Sequence, residues 1–173
     1  MKPIAVFIGR FQPFHYGHQA IIEHIVKLGY RPHILVGVSK SKTDRSPISF
    51  KEISSNLLCK TYDDKYYLPR PLYDCNDNLA WVKQIDNTLN MYEEGSTLHL
   101  VIHNKPSEAG KYGLPEGQFI SDFILANSTK ITGSIDLSSM ETPSINATDI
   151  RNSMTELLKL APKSSLQALL EAL

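Results

Sequence analysis

No phosphate-binding loop of the G-x-x-x-x-G-K-[ST] kind occurs in this 173-residue chain, and Gly9 and Gly17 do not form the G-x-G-x-x-G of dinucleotide-binding turns. Cysteine is almost absent. Cys59 and Cys75 are the only two and stand in unrelated settings, so neither a disulfide framework nor a zinc ribbon is indicated. An excess of one charge is missing too: 18 Lys and Arg balance 18 Asp and Glu. Neutrality argues against a broad nucleic-acid or membrane surface and leaves room only for a local patch. No apolar run reaches about 18 residues, and no N-terminal signal peptide is visible, so a cytosolic protein is expected. Internal repeats and low-complexity segments are absent. What remains is 42% hydrophobic content, enough for one compact domain with a sizeable core.

The informative stretch is Gly9-Arg10-Phe11-Gln12-Pro13-Phe14-His15-Tyr16-Gly17-His18. It follows an apolar run, Ile4 to Ile8, that reads as a buried parallel strand. It precedes Gln19 to Val26, where apolar residues at 21, 22, 25 and 26 have helical spacing. A turn therefore carries an arginine and two histidines from a strand end to a helix start. Helix starts present unpaired backbone N–H groups and a partial positive charge, which favour phosphate. Two imidazoles and a guanidinium there suit charge that develops on a reacting phosphate. The competing readings are satisfied capping side chains and a zinc site, but His15 and His18 have no cysteine or carboxylate cluster at ligand spacing.

The remaining elements alternate. His33 to Val38 reads as a strand after a Gly29-Tyr30-Arg31-Pro32 helix stop. A helix is expected to start near Ser46-Pro47, with Ser49-x-x-Glu52 as capping box. Tyr66 to Tyr73 reads as strand, shortened by Pro69 and Pro71, Asp77 to Tyr92 as helix, and Thr97 to His103 as strand. Pro106 to Gly117 reads as a loop long enough to be a mobile lid. Helix from Gln118 to Ala126, strand from Lys130 to Leu137 and helix from Asn146 to Leu160 complete the core. Such alternation implies an α/β fold, a doubly wound parallel sheet of about five strands with helices on both faces. Ligands in such folds sit beyond the carboxyl ends of the strands where strand order reverses. The histidine turn is expected at that crevice.

His15-x-Gly17-His18 resembles the HxGH signature of the nucleotidylyltransferases, and the longer Gly9 to His15 context resembles the nicotinamide mononucleotide (NMN) adenylyltransferases. The resemblance is to their short archaeal-type branch and to the adenylyltransferase half of Nudix-fused relatives. It covers most of residues 3–158 and implies a Rossmann-like domain over 1–161; beyond it, in a tail over 162–173, Ser164 to Leu173 reads as a Leu-rich amphipathic helix docked on the domain or a neighbouring subunit. Ile145-Asn146-Ala147-Thr148-Asp149-Ile150-Arg151 is similar to the family's second signature, I-S-S-T-x-I-R, with Asn146 and Ala147 replacing the two serines. Asn146 is a good N-cap and Asp149 a favourable first-turn acid. The plainer reading of the same segment is a capped surface helix.

Asp74-Cys75-Asn76-Asp77-Asn78-Leu79-Ala80-Trp81 looks like the NMN-binding stretch, implying Asp74, Asn78 and Trp81 as acceptor contacts. An indole face suits a flat pyridinium, and an amide needs both donor and acceptor. The rival is a core tryptophan, since Leu79, Val82 and Ile85 give this helix an apolar face. Arg45-Ser46-Pro47-Ile48-Ser49-x-x-Glu52 resembles a further family stretch, making Arg45 a candidate phosphate contact, although the family's closing arginine is Ile53 here. Lys105 stands where relatives have a G-x-x-K-D-like stretch.

The resemblance implies AMP transfer from ATP to NMN, giving NAD and pyrophosphate, with Mg²⁺ held mainly by ATP phosphates and water. Gly9, Arg10, Phe11, His15, His18, Asn146, Thr148 and Arg151 would bind ATP, with Arg10, His15, His18 and Arg151 carrying the catalysis. Alternatives on the same scaffold are nicotinate mononucleotide, phosphopantetheine or FMN as acceptor, or a non-catalytic NAD- or ATP-binding sensor. Class I aminoacyl-tRNA synthetases share an HxGH, but 173 residues leave no room for a tRNA-binding domain. No Nudix box, G-x5-E-x7-R-E-x-x-E-E, is found, so cleavage of ADP-ribose is not expected. Partners are expected to be small molecules, with no nucleic acid or membrane and a homo-oligomer left open.

Overall fold

A computed structural model describes residues 2–59, 69–143 and 147–160, with the side chains of 56, 58, 59 and 154–160 outside the description. The first turn of sequence becomes β1 (Ile4–Gly9), then α1 (Tyr16–Lys27), β2 (Arg31–Val38) and α2 (Phe50–Cys59). There follow β3 (Arg70–Tyr73), α3 (Asn78–Leu89), β4 (Leu98–Ile102), a short 3-10 turn at Pro106–Glu108, α4 (Ile120–Asn127), β5 (Gly133–Asp136) and α5 (Ala147–Leu160). All strand pairs are parallel, in the order β3-β2-β1-β4-β5. The expected five-strand parallel sheet is therefore present. The chain steps outward from β1 in both directions, so the reversal lies between β1 and β4, where the histidine turn leaves the sheet.

Alternation along each strand sorts the core into two layers. Ala5, Phe7, Ile34 and Val36 face Ile21, Ile22 and Ile25 of α1 and Ile53 and Leu57 of α2. Ile4, Val6, Leu35, Leu72, Leu98, Leu100 and Ile102 face Val82, Ile85 and Leu89 of α3 and Ile124 of α4. The latter layer is pinned by Asp86, which accepts hydrogen bonds from the Ser128 hydroxyl, the Thr129 N–H (2.8 Å) and the Thr129 hydroxyl (2.9 Å). No helix among the described residues is long and apolar enough to cross a membrane.

The differences from expectation are at element ends. The second helix starts at Phe50, not at Ser46-Pro47. The capping box itself forms, because the Ser49 N–H donates to Glu52 and the Glu52 N–H to the Ser49 hydroxyl. That makes Ser49 the cap and leaves Pro47 outside the helix, while Thr43 and Ser46 bridge each other before it. Asp77 caps α3 instead of belonging to it, and the helix ends at Leu89, before Tyr92. The expected strand from Tyr66 is described only from Arg70, its first part and the 162–173 tail lying outside the described residues.

Candidate active site

At the end of β1 the backbone of Phe11 enters a positive-φ conformation, 51°, and turns its ring inward. The ring is 1% exposed and packs edge-on against Phe7 (5.6 Å between centroids) and His18 (4.7 Å). Gly9 is needed for this approach, since a Cβ there would sit 2.9 Å from the Phe11 ring. Phe11 therefore supports the histidines from below. Its ring is buried and, unlike Gly9 and Arg10, does not line the cavity beyond the strand ends.

His15 is the N-cap of α1. Its Nδ1 accepts from the Gly17 N–H (3.1 Å), and His18 Nδ1 accepts from the His15 N–H (3.3 Å). This is a capping box written with imidazoles instead of Ser and Glu. Each Nδ1 is occupied as an acceptor, so the neutral ring carries its proton on Nε2. The rings stack at 3.8 Å and 19°, with Phe14 lying parallel on the other side of His18 at 5.8 Å. Burial, then the charges of His15, Lys105 and His103, hold the His18 pKa down at about 3. Burial and Lys105 lower that of His15 as well. Protonating either ring would also put an N–H against an N–H and break the cap. The pair are neutral Nε2–H donors at neutral pH.

Arg10 leaves the same strand end in the other direction. Gly37 lets its stem pass, a Cβ there falling 3.3 Å from Arg10 Cγ. The guanidinium then reaches Ser39 Oγ (3.4 Å) and forms an ion pair with Asp74 (2.8 Å) beyond β3. Both partners are partly exposed, so the pair orients more than it stabilises.

These groups open on a cavity of 710 Å³ beyond the carboxyl ends of the strands, a size suited to a small-molecule ligand. Gly9, Arg10, His15 and His18 line it from the β1–α1 turn, and Asp74, Asn78 and Trp81 from the β3–α3 corner. Trp81 packs half-buried on the second core layer and also lines the cavity. His103, Asn104 and Lys105 at the end of β4, Tyr112 in the following loop, and Ser121 of α4 complete the wall. His103, Asn104, Tyr112 and Ser121 were not singled out in the sequence. The only signal for the first two was their place just past an apolar strand.

The second signature lies behind the turn. Arg151 donates to the Gln12 carbonyl (3.0 Å) and to the Thr148 hydroxyl (3.3 Å), which ties the start of α5 to the histidine loop. Neither Thr148 nor Arg151 is among the cavity-lining residues, although Thr142 just before the helix is. Asn146 lies outside the described residues. Arg45 is exposed in the turn before α2 and does not line the cavity. Among the described residues there is no group of three His, Cys, Asp or Glu that could hold a metal ion.

Two depressed histidines give the pH dependence its sign. His33, buried beneath Arg70 and Arg31 with Tyr92 on its Nδ1 (2.6 Å), has its pKa lowered to about 4. A base whose folded-state pKa lies below its unfolded value of about 6.5 costs stability once the unfolded chain can take the proton. Stability is expected to be full above pH 6.5 and to fall as pH drops toward 4 for His33 and toward 3 for His18. For His33 alone the loss amounts to roughly 3 kcal/mol. Urea midpoints between pH 7.5 and 4.5 check this.

A family model described as cytidylyltransferase-like matches residues 6–153. The nicotinamide-nucleotide adenylyltransferase of Thermoplasma volcanium is 34% identical over 88 residues, 47% of this chain and 48% of that protein. The enzyme of that name from Pyrococcus horikoshii is 26% identical over 128 residues, covering 70% of this chain and 67% of its own. The chain thus spans about half the length of the first curated relative and two thirds of the other. Among solved structures, the bifunctional NMN adenylyltransferase/ADP ribose pyrophosphatase of Francisella tularensis covers 88% of this chain and 42% of itself, with a TM-score of 0.68 and 23% identity. A second structure of the Francisella tularensis enzyme, complexed with AMP and manganese, has a TM-score of 0.65 at 22% identity. These two likenesses bear on the fold.

Proposed function

The chain belongs to the cytidylyltransferase-like family, and on that premise we propose that it transfers AMP from ATP to NMN, forming NAD and releasing pyrophosphate. The observation that carries the reading is the histidine capping box. It holds two Nε2–H donors at a helix start, at the point of strand reversal, facing a cavity whose other wall holds Asp74, Asn78 and Trp81.

The acceptor's phosphate oxygen attacks the α-phosphorus of ATP, and the bond to the bridging oxygen breaks, that oxygen leaving with the electron pair on pyrophosphate. A phosphate ionised at neutral pH is already the nucleophile, so no general base is required. Catalysis is then positioning plus stabilisation of charge on the transferred group. His15 and His18 donate to its non-bridging oxygens, and Arg10, held by Asp74, offsets the charge growing toward the leaving group. Arg151, donating to the Gln12 carbonyl and to the Thr148 hydroxyl, braces from behind the turn that carries the histidines. A divalent cation arrives with the nucleotide as the MgATP substrate, its ligands being phosphate oxygens and water. The setting that fits this chemistry is cytoplasmic, with small molecules as the partners.

Taken as a free carboxylate, Asp74 would repel nicotinate mononucleotide; with its charge met by Arg10 that argument loses force. The test is product analysis with ATP and Mg²⁺, offering NMN, nicotinate mononucleotide and phosphopantetheine side by side. NAD with stoichiometric pyrophosphate from NMN is the expected result. Product only from another acceptor overturns the acceptor and keeps the transfer chemistry, whereas ATP binding without any product leaves a nucleotide sensor.

A further inference from the structure

The loop after β4 is braced in an unusual way. Its neck is closed by the Gly110 N–H donating to the Gln118 carbonyl (2.7 Å), and the Leu114 N–H donates to the Lys111 carbonyl (3.2 Å) across a four-residue turn. The two central residues of that turn, Tyr112 and Gly113, both have positive φ, 62° and 72°. This is the pattern of a type I′ turn, whose first central position favours Asn, Asp or Gly. A tyrosine there is strained by its own Cβ.

The strained residue is held from across the cavity. The Asn78 side-chain amide, in the first turn of α3, donates to the Tyr112 carbonyl (2.9 Å). Tyr112 itself is 59% exposed and lines the cavity, and among the described residues its ring has no aromatic contact and its hydroxyl no hydrogen bond. Two features thus fix the backbone of a side chain that touches little of the protein. Such an arrangement makes sense when the ring's partner is a ligand.

Resting on the function proposed above, we propose that Tyr112 is an acceptor-specificity residue, and that Asn78 acts as a positioning residue through the Tyr112 carbonyl. The chemistry it would recognise is a flat, cationic heteroaromatic ring, for which a phenol face adds to the indole face of Trp81. Uncharged acceptors of other shapes gain nothing from it. The role of Asn78 changes accordingly: one of its two amide protons is committed to the loop.

The experiment uses Tyr112→Gly, Tyr112→Phe, Asn78→Ala and the Asn78→Ala/Tyr112→Gly double variant in the full chain. Glycine removes the ring yet suits the backbone conformation, so thermal stability is expected to hold or rise. NMN affinity is read as the KM for NMN and, independently of turnover, by titrating NMN against the fluorescence of Trp81, the only tryptophan. Tyr112→Gly is expected to weaken NMN about tenfold, with KM for ATP and kcat within twofold of the parent, and Tyr112→Phe to stay near the parent. Asn78→Ala should weaken NMN as well, and the double variant should be no weaker than Tyr112→Gly. Unchanged NMN affinity in Tyr112→Gly, an equal loss for ATP, or no NMN quenching in the parent overturns the assignment. Additive losses in the double variant overturn the positioning role of Asn78. A parent that binds NMN but makes no NAD overturns the proposed function alone, since the affinity comparison still decides the role of Tyr112.

Discussion

Replacing His18 with asparagine is expected to leave a folded protein that transfers AMP to NMN roughly a hundred to a thousand times more slowly. Asparagine is the informative choice because its Oδ1 stands where Nδ1 of the imidazole was. The His15 N–H, which donates to His18 Nδ1 at 3.3 Å, keeps an acceptor. What disappears is the outward Nε2–H. Glutamine makes the opposite exchange: its amide nitrogen reaches toward the Nε2 position while the cap is lost. His18→Gln should therefore retain more turnover than His18→Asn but melt earlier, the missing cap costing about 1 kcal/mol. Steady-state kinetics and urea midpoints for both variants separate donor from cap, and near-normal turnover in His18→Asn would sink the assignment. In the parent, kcat/KM should show no titration of His18 between pH 6 and 8, since burial holds its pKa at about 3.

The second large effect is expected at Gln12, which is 3% exposed. Its side-chain amide donates to the Ile48 carbonyl (2.9 Å) and accepts from the Ile48 N–H (2.9 Å), while its main-chain carbonyl accepts from Arg151. One residue thus joins the histidine turn, the lead-in to α2 and the start of α5. Gln12→Ala strips both partners from Ile48 in a part-buried setting, a loss of roughly 2–3 kcal/mol. Gln12→Glu should fare no better, because a carboxylate can accept from the Ile48 N–H but faces its carbonyl with no proton to give. Turnover is expected to fall with stability, since the turn that carries Arg10 and His15 loses its anchor. A Gln12→Ala protein with a parental urea midpoint would show that the clamp contributes nothing in solution.

The histidine turn was legible because its information is local. Strand periodicity before it and helical periodicity after it put residues 9–18 at a strand end, and parallel alternation placed that end at a crevice. Capping stood in the sequence only as a rival to phosphate binding, since imidazoles are outside the usual Ser, Thr, Asp and Asn set, whereas in the fold it occupies Nδ1 alone. The Arg10–Asp74 pair and the Gln12–Ile48 clamp span 64 and 36 residues, and no periodic pattern reports contacts at that separation. The placement of the Phe11 ring was not legible for the same reason. Its place in the signature suggested a nucleotide contact, whereas the positive φ that sends it under His18 is a property of the folded turn. Pro47 was assigned to a helix start because proline suits a first turn, yet Ser49 and Glu52 close their box two residues later.

The two strands at the margins of the sheet, β3 and β5, are four residues each, against six and eight for β1 and β2. β3 also carries Pro71, which has no N–H to offer a newcomer. Among the described residues, a neighbouring chain seeking to extend the sheet would find few unpaired backbone groups on either flank. Strand-to-strand polymerisation, the usual hazard of an open parallel sheet, is therefore discouraged by the geometry of its borders. The protein should stay free of fibrils when concentrated for the binding titrations above.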